Sequence, residues 1–206
     1  MPNRDKKPSP SVIDGVMLSR TLAPSLPNNL ITRKHLFNLL SEKRPGATLV
    51  IAPAGYGKTT LVAEWAKQCT SKVIWTQMSS KDSLIQLSQH MIQSVRNAVP
   101  GFAPWANSLS DFDIGDIVRK TANEIYEQKE NFIWVLDSAE ELDAQSSDIR
   151  RVFVESVPEN VHIVLISRKA PDASYSRFAK LGNLNLVTPD DLLFSSQESA
   201  AIAKLA

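Results

Sequence analysis

Residues 52 to 60 read Ala-Pro-Ala-Gly-Tyr-Gly-Lys-Thr-Thr, a spacing of two glycines, a lysine and two hydroxyl residues suited to holding a chain of phosphates. Backbone N–H groups can converge on phosphate oxygens only where side chains do not intervene, which Gly55 and Gly57 allow. The residues from 59 onward carry a helical pattern, so the unpaired N–H groups and positive dipole end of that helix would face the anion. In this reading Pro53, Ala54, Gly55, Tyr56, Gly57 and Thr60 form the cradle. Lys58 reaches the β- and γ-oxygens of ATP or ADP, and Thr59 holds Mg²⁺ through its hydroxyl. The full pattern is G-x-x-x-x-G-K-[ST], with Ala52 standing at the first glycine. Alanine is tolerable there if the chain leaves the preceding strand at negative φ. The plain alternative is a glycine-rich strand-to-helix turn with no ligand.

A nucleotide site needs further components. Asp137 closes the run Phe-Ile-Trp-Val-Leu-Asp, and an acid at the end of a buried strand is placed to share Mg²⁺ with Thr59; the alternative is an aspartate that caps the next turn. Fast ATPases often carry a second acid immediately afterwards, but here Ser138 follows, so slow turnover or none is expected. Glu140 is the candidate water-positioning base, with a solvated charge as the alternative. Arg168 ends the run His-Ile-Val-Leu-Ile-Ser-Arg. If that strand lies between the loop strand and the Asp137 strand, Arg168 points at the γ-phosphate and tells ATP from ADP. Lys58, Asp137, Arg168 and Glu140 are therefore the candidate catalytic set. Arg33, on the helix before the sheet, in a region that often lies over the base and ribose, is a candidate for a stacking or phosphate contact, against a solvated helix charge. His35, His90 and His162 show no metal-ligand spacing, so no metal beyond Mg²⁺ is expected.

The elements that must position these residues alternate between apolar runs and helical periodicity. Strands are predicted at 48–52, 72–78, 132–137, 162–168 and around 183–189, each nearly all apolar or β-branched. Helices are predicted over 32–42 with Thr32 as N-cap, from 59 to 69, from Leu84 to about Pro100, from Ile114 to Ile125 behind Asp111 or Asp113, and around Ile149, Val152 and Phe153. A last helix opens with a capping box from Ser195 to Glu198 and leaves Ile202 and Leu205 in need of a partner, as if the chain were cut at Ala206. The 100–109 stretch reads as a loop, and Trp75, Met91 and Tyr126 as core. The predicted fold is α/β, a parallel five-stranded P-loop NTPase sheet with helices on both faces, and the start of a helical subdomain at the C-terminus. The expected division is a disordered tail at 1–20, a nucleotide domain at 21–190 and the beginning of a helical domain at 191–206.

Composition narrows the class. The 206 residues carry 23 basic and 22 acidic side chains, so the balance offers no basic surplus for nucleic acid. One cysteine, Cys69, permits no internal disulfide and fits a reducing compartment, where it reads as a buried structural thiol. No apolar run approaches the ~20 residues needed to span a bilayer, so a soluble cytoplasmic protein is expected.

The stretch IAPAGYGKTTLVAEWA resembles the phosphate loop of the signal-transduction ATPases with numerous domains (STAND), specifically the maltose-regulator-like, large LuxR-type transcriptional activators. There a small residue followed by PAGYGKTT is characteristic, which makes Ala52 the family's habit. LPNNLITRKHLFNLL is similar to the family's proline-containing lead-in, VIWTQM to its tryptophan strand, VLISR to its arginine sensor strand, and LLFSSQE to the start of its helical domain. The resemblance covers about residues 22–206. It departs at Ser138 and Ser79, where the family usually has aspartates, which bears on hydrolysis more than on binding. It implies an ATP-binding, slowly hydrolysing signal-transduction switch that self-associates when ATP-bound. It also implies an inducer-sensing domain and a C-terminal DNA-binding helix-turn-helix, neither of which lies in these residues. Two other readings stay open: an ATP/ADP-binding interaction module without hydrolysis, and an ordinary P-loop ATPase or kinase.

Overall fold

The structure, a computed structural model, describes residues 12–40, 42–107, 109, 112–143, 152–170 and 176–203. Five strands form one parallel sheet: β1 (Gly46–Ile51), β2 (Lys72–Gln77), β3 (Phe132–Asp137), β4 (Val161–Ser167) and β5 (Leu184–Val187). Their order in space is β2-β3-β4-β1-β5, the α/β arrangement expected from the sequence. The three central strands are almost wholly buried, which is why they read as continuous apolar runs rather than alternating ones.

Side chains alternate between two cores. Phe132, Trp134 and Leu136 of β3 and Ile163 and Leu165 of β4 face one side, where helices α2 (Leu84–Ala98) and α3 (Ile114–Glu127) supply Leu87, Ile92, Val95, Ile117 and Ile125. Ile133, Val135, Val164 and Ile166 face the other, against Leu61, Val62 and Trp65 of helix α1 (Lys58–Ala66). Each such side chain contributes about 1.5–3 kcal/mol on leaving water, so both helix layers are held by the sheet they cover. Local chemistry sets the helix ends. Ser83 and Gln86 form a reciprocal capping box on α2, and the Asp113 carboxylate accepts the Asp116 N–H at the start of α3, each cap worth about 1 kcal/mol.

Several expectations need correction. Residues 12–20 are not a loose tail: Ile13 is buried, its N–H donates to Gln93 Oε1 at 3.0 Å, and the Met17 N–H donates to His90 Nε2 at 3.1 Å. The Arg20 guanidinium grips both Asp82 carboxylate oxygens, at 2.8 and 2.6 Å, so this segment lies along α2; residues 1–11 of the expected tail lie outside the described residues. The lead-in helix is a 3₁₀ turn over Lys34–Leu39 with Arg33, not Thr32, at its N-cap and no side-chain cap. The 100–109 stretch is more than a connector, since Phe102, Ala103, Ala106 and Leu109 join the core around a 3₁₀ turn at Pro104–Asn107. Tyr126 is 58% exposed, one position past the buried stripe. Trp75 is core and Met91 half-buried. Cys69 is half-buried beside the Trp65 carbonyl, and burial pushes its thiol up to about 12. Residues 152–155 are helical; Asp111, Ile149 and Leu205, and the Ile202 side chain, lie outside the described parts. The last described helix, Ser196–Ala203, has the expected Ser195–Glu198 capping box. No described helix is long and apolar enough to cross a membrane.

Candidate functional site

The strand order creates the site. From β1 the chain crosses toward β2 at one edge, and from β4, the neighbour of β1, it crosses toward β5 at the other. Connections leaving adjacent strands in opposite directions open a crevice beyond their carboxyl ends. The register brings Ile51 level with Ser167, and Ile166 level with Asp137, so the three strand ends finish together. β4 lies between β1 and β3, the condition on which the expected position of Arg168 depended.

The loop after β1 turns on its glycines: Gly55 has φ +88° and Gly57, the N-cap of α1, φ +74°. A side chain at either would be strained by backbone conformation alone. Positive φ among the described non-glycine residues occurs at Ala103, Lys129 and Ser138, so Ala52 keeps the ordinary backbone that its substitution for glycine requires. Lys58 is buried and its Nζ donates to the carbonyls of Ala52 at 2.7 Å and Pro53 at 2.9 Å. That brackets the loop and leaves one of three ammonium protons for a ligand. Burial lowers the Lys58 pKa; Glu140 and Asp137 act against this and Arg168 adds to it.

The Thr59 hydroxyl donates to Asp137 Oδ1 at 3.2 Å, and that oxygen also accepts the Ser138 N–H at 2.9 Å. Asp137 is 8% exposed, and burial raises its pKa against those two hydrogen bonds. A buried carboxylate beside a hydroxyl is a hard, all-oxygen donor pair, so these residues fit Mg²⁺. Ser138 occupies the left-handed region at φ +59°, a strained conformation of the kind found at ligand sites. The turn through it, tied to β4 by the Ala139 N–H donating to the Ile166 carbonyl at 2.9 Å, leads directly into α4 (Glu140–Asp143). Glu140 is therefore not a solvated charge. Its side chain is 8% exposed, with Oε2 accepting the Arg168 N–H at 3.2 Å and Oε1 lying 3.3 Å from Arg168 Nε. The Arg168 side chain is 62% exposed.

Ala54, Gly55, Lys58, Thr59, Asp137, Glu140 and Arg168 thus line one cleft of about 200 Å³. Tyr56, Gly57 and Thr60 instead line a second cavity of about 380 Å³ on the other side of the loop, walled by Asn29, Leu30, Ile31, Leu61, Glu64 and Phe194. The Pro53 contribution is its carbonyl. Arg33 borders the second cavity, and its guanidinium is bound to the segment at 192–198. Nε donates to Glu198 Oε1 at 2.8 Å, Nη1 to the Leu192 carbonyl at 3.0 Å and Nη2 to the Leu193 carbonyl at 2.8 Å. These three acceptors satisfy a buried guanidinium, so Arg33 is not the solvated helix charge that was its alternative. Sequence reasoning missed Phe194 and Glu198, which stand more than 160 positions from Arg33 and carry no local mark except the capping box.

A parallel sheet whose switch-point loop presents lysine and threonine to a strand-end aspartate defines the P-loop class of nucleotide-binding α/β proteins. Within it the chain belongs to the AAA ATPase domain family, whose profile matches residues 32–166. It is 26% identical over 174 residues to the HTH-type transcriptional regulator MalT of Yersinia pestis (strain Pestoides F), covering 82% of this chain and 18% of that protein. It is likewise 26% identical over 183 residues to MalT of Serratia proteamaculans (strain 568), covering 84% and 20%. The chain therefore spans about a fifth of these relatives. Among solved structures it is similar in fold to the Aeropyrum pernix ORC1 protein in complex with DNA, with TM-score 0.57, 14% identity, and 84% of this chain and 47% of that one covered. Cdc6p from Pyrobaculum aerophilum gives 0.56, 15%, 87% and 52%.

Proposed function

We propose that the chain is an adenine-nucleotide switch: the ATP-binding, slowly hydrolysing module of a larger LuxR-type, STAND-class transcriptional regulator, with residues 21–190, together with the packed segment 12–20, as the nucleotide domain and 191–206 as the start of a helical subdomain. The observation that carries this is the convergence of Lys58, Thr59, Asp137 and Arg168 on one cleft, with a roomier, more apolar cavity across Tyr56 and Gly57. The phosphates fit the first and the base and ribose the second, joined over the loop. Thr59 and Asp137 would hold Mg²⁺, which when bound neutralises charge on the β- and γ-phosphates. Lys58 supplies a fixed positive charge to the same oxygens, and Arg168 is the group that meets the additional anion of ATP.

The γ-phosphate contacts bias the switch without reaching the ~5.5 kcal/mol needed to invert a 1:99 conformational equilibrium, because Lys58 also meets the β-phosphate that ADP shares and the exposed Arg168 is screened to about 1 kcal/mol net. An inducer or partner acting through other regions of the regulator would complete the transition, and DNA contact would belong to a helix-turn-helix outside these residues. Glu140 is the residue able to orient a water, but it does so only when released from Arg168. That engagement and Ser138 at the usual second acid also support a second reading, a nucleotide-binding interaction module that does not hydrolyse. Calorimetric titration of the protein with Mg-ATP and Mg-ADP tests the site: one nucleotide per chain is expected, with binding lost in Lys58→Ala. Phosphate release over hours separates slow hydrolysis from none. Absence of binding by the unaltered chain would overturn the proposal.

A further inference from the structure

Two walls of the second cavity are tied together by one side chain. These walls, the lead-in around Asn29–Ile31 and the linker carrying Phe194, come from distant parts of the chain. What joins them is Arg33. Its side chain is 8% exposed, and its three bonds run to Glu198 and the Leu192 and Leu193 carbonyls. Its guanidinium carbon also lies over the Phe194 ring, 4.7 Å from the centroid. Glu198 is itself 12% exposed, and its other oxygen accepts the Ser195 N–H at 2.7 Å, inside the capping box that starts the last described helix. One carboxylate thus anchors both the helix start and the arginine at the cavity wall.

Resting on the nucleotide reading above, we propose that Arg33 and Glu198 are positioning residues: their ion pair closes the cavity over the nucleoside and couples its occupancy to the seating of the helix Ser196–Ala203. The physical reason is that a nucleoside enclosed by residues 29–31 and Phe194 leaves only when these walls part, and parting them breaks a buried, charge-assisted pair together with two carbonyl bonds. Lysine would not substitute for Arg33, since a point charge cannot serve a carboxylate and two carbonyls in a planar fork.

The test uses the full 206-residue chain with N-methylanthraniloyl-ADP and Mg²⁺, comparing the unaltered protein with Glu198→Gln, Arg33→Lys and Arg33→Ala. Stopped-flow chase with unlabelled ADP gives the release rate, and hydrogen exchange with and without ADP reports residues 192–203 and 52–60. Release is expected to accelerate about tenfold in Glu198→Gln and Arg33→Ala, the factor carried by one charge-assisted hydrogen bond, with Arg33→Lys in between. ADP is expected to protect 192–203 in the unaltered chain and no longer in the variants, while protection of 52–60 persists. A merely structural brace would lower the melting temperature of each variant and leave release and ADP-dependent protection unchanged; that result overturns the positioning role alone. An unaltered chain that binds no labelled ADP overturns the positioning role and the nucleotide reading together. Glu198→Gln keeps the shape of the side chain, so the comparison survives if Arg33→Ala does not fold.

Discussion

Replacing Arg168 with alanine separates recognition of the third phosphate from recognition of the rest of the nucleotide. Arg168 sits on the strand end between the phosphate loop and Asp137, with its side chain 62% exposed and its Nε 3.3 Å from Glu140 Oε1. A desolvated arginine-phosphate bond is worth about 1.5–3 kcal/mol, but at this exposure water and salt screen much of it. The pairing with Glu140 must also be given up before the γ-phosphate is met, whereas with ADP it stays intact. The net preference is then on the order of 1 kcal/mol, a factor of about five in the ratio of ATP to ADP affinity. Competition of ATPγS and ADP against a fluorescent nucleotide, in magnesium buffer at two salt concentrations, measures that ratio directly. Arg168→Ala should bind ADP almost as the unaltered chain does and ATPγS about fivefold less tightly, with the difference shrinking at high salt. Equal losses for both nucleotides, or none for ATPγS, would refute the sensing role.

Lys58→Ala removes the charge common to both nucleotides, so ATP and ADP affinities should each fall by roughly a hundredfold or more; calorimetry measures this, with circular dichroism checking that the loop survives loss of the Ala52 and Pro53 bonds. Ser138 holds a left-handed backbone at φ +59°, so Ser138→Gly should raise the urea midpoint and Ser138→Val should lower stability by roughly 1–2 kcal/mol. His90 and His162 are buried and burial lowers both pKa values below the ordinary 6.5. The unfolded chain therefore takes up protons more readily, and the stability these histidines contribute is complete above about 6.5 and lost as the pH falls through the folded values. At His90, where Arg20 opposes protonation and Asp82 favours it, a proton on Nε2 would displace the Met17 N–H. Urea unfolding at pH 7.5 and 5.5 should show the loss, hydrogen exchange should locate the first opening at residues 12–21, and His90→Gln should lessen both.

What the amino-acid order determined by itself is the local part. Two glycines between an apolar run and a helical pattern dictate a loop of positive-φ turns, here at Gly55 and Gly57, because backbone conformation is set within a few residues. The strands at 132–137 and 161–167 announce their double burial through the consecutive apolar residues at 132–136 and 163–166, and Asp137 stands out as the charge that ends such a run. What only the tertiary structure decided depends on which distant segments meet. The insertion of β4 between β1 and β3 puts Arg168 in the cleft, and no local pattern encodes strand order. The left-handed turn at Ser138 brings Glu140 back to Arg168, where sequence proximity alone left a solvated charge equally plausible. The residues at 12–20 read as tail by composition, yet Ile13 and Arg20 find partners on and before α2, and Arg33 finds Glu198. Those bonds join residues brought together by packing of the whole sheet, whose free energy is collective and leaves no signature in either segment alone.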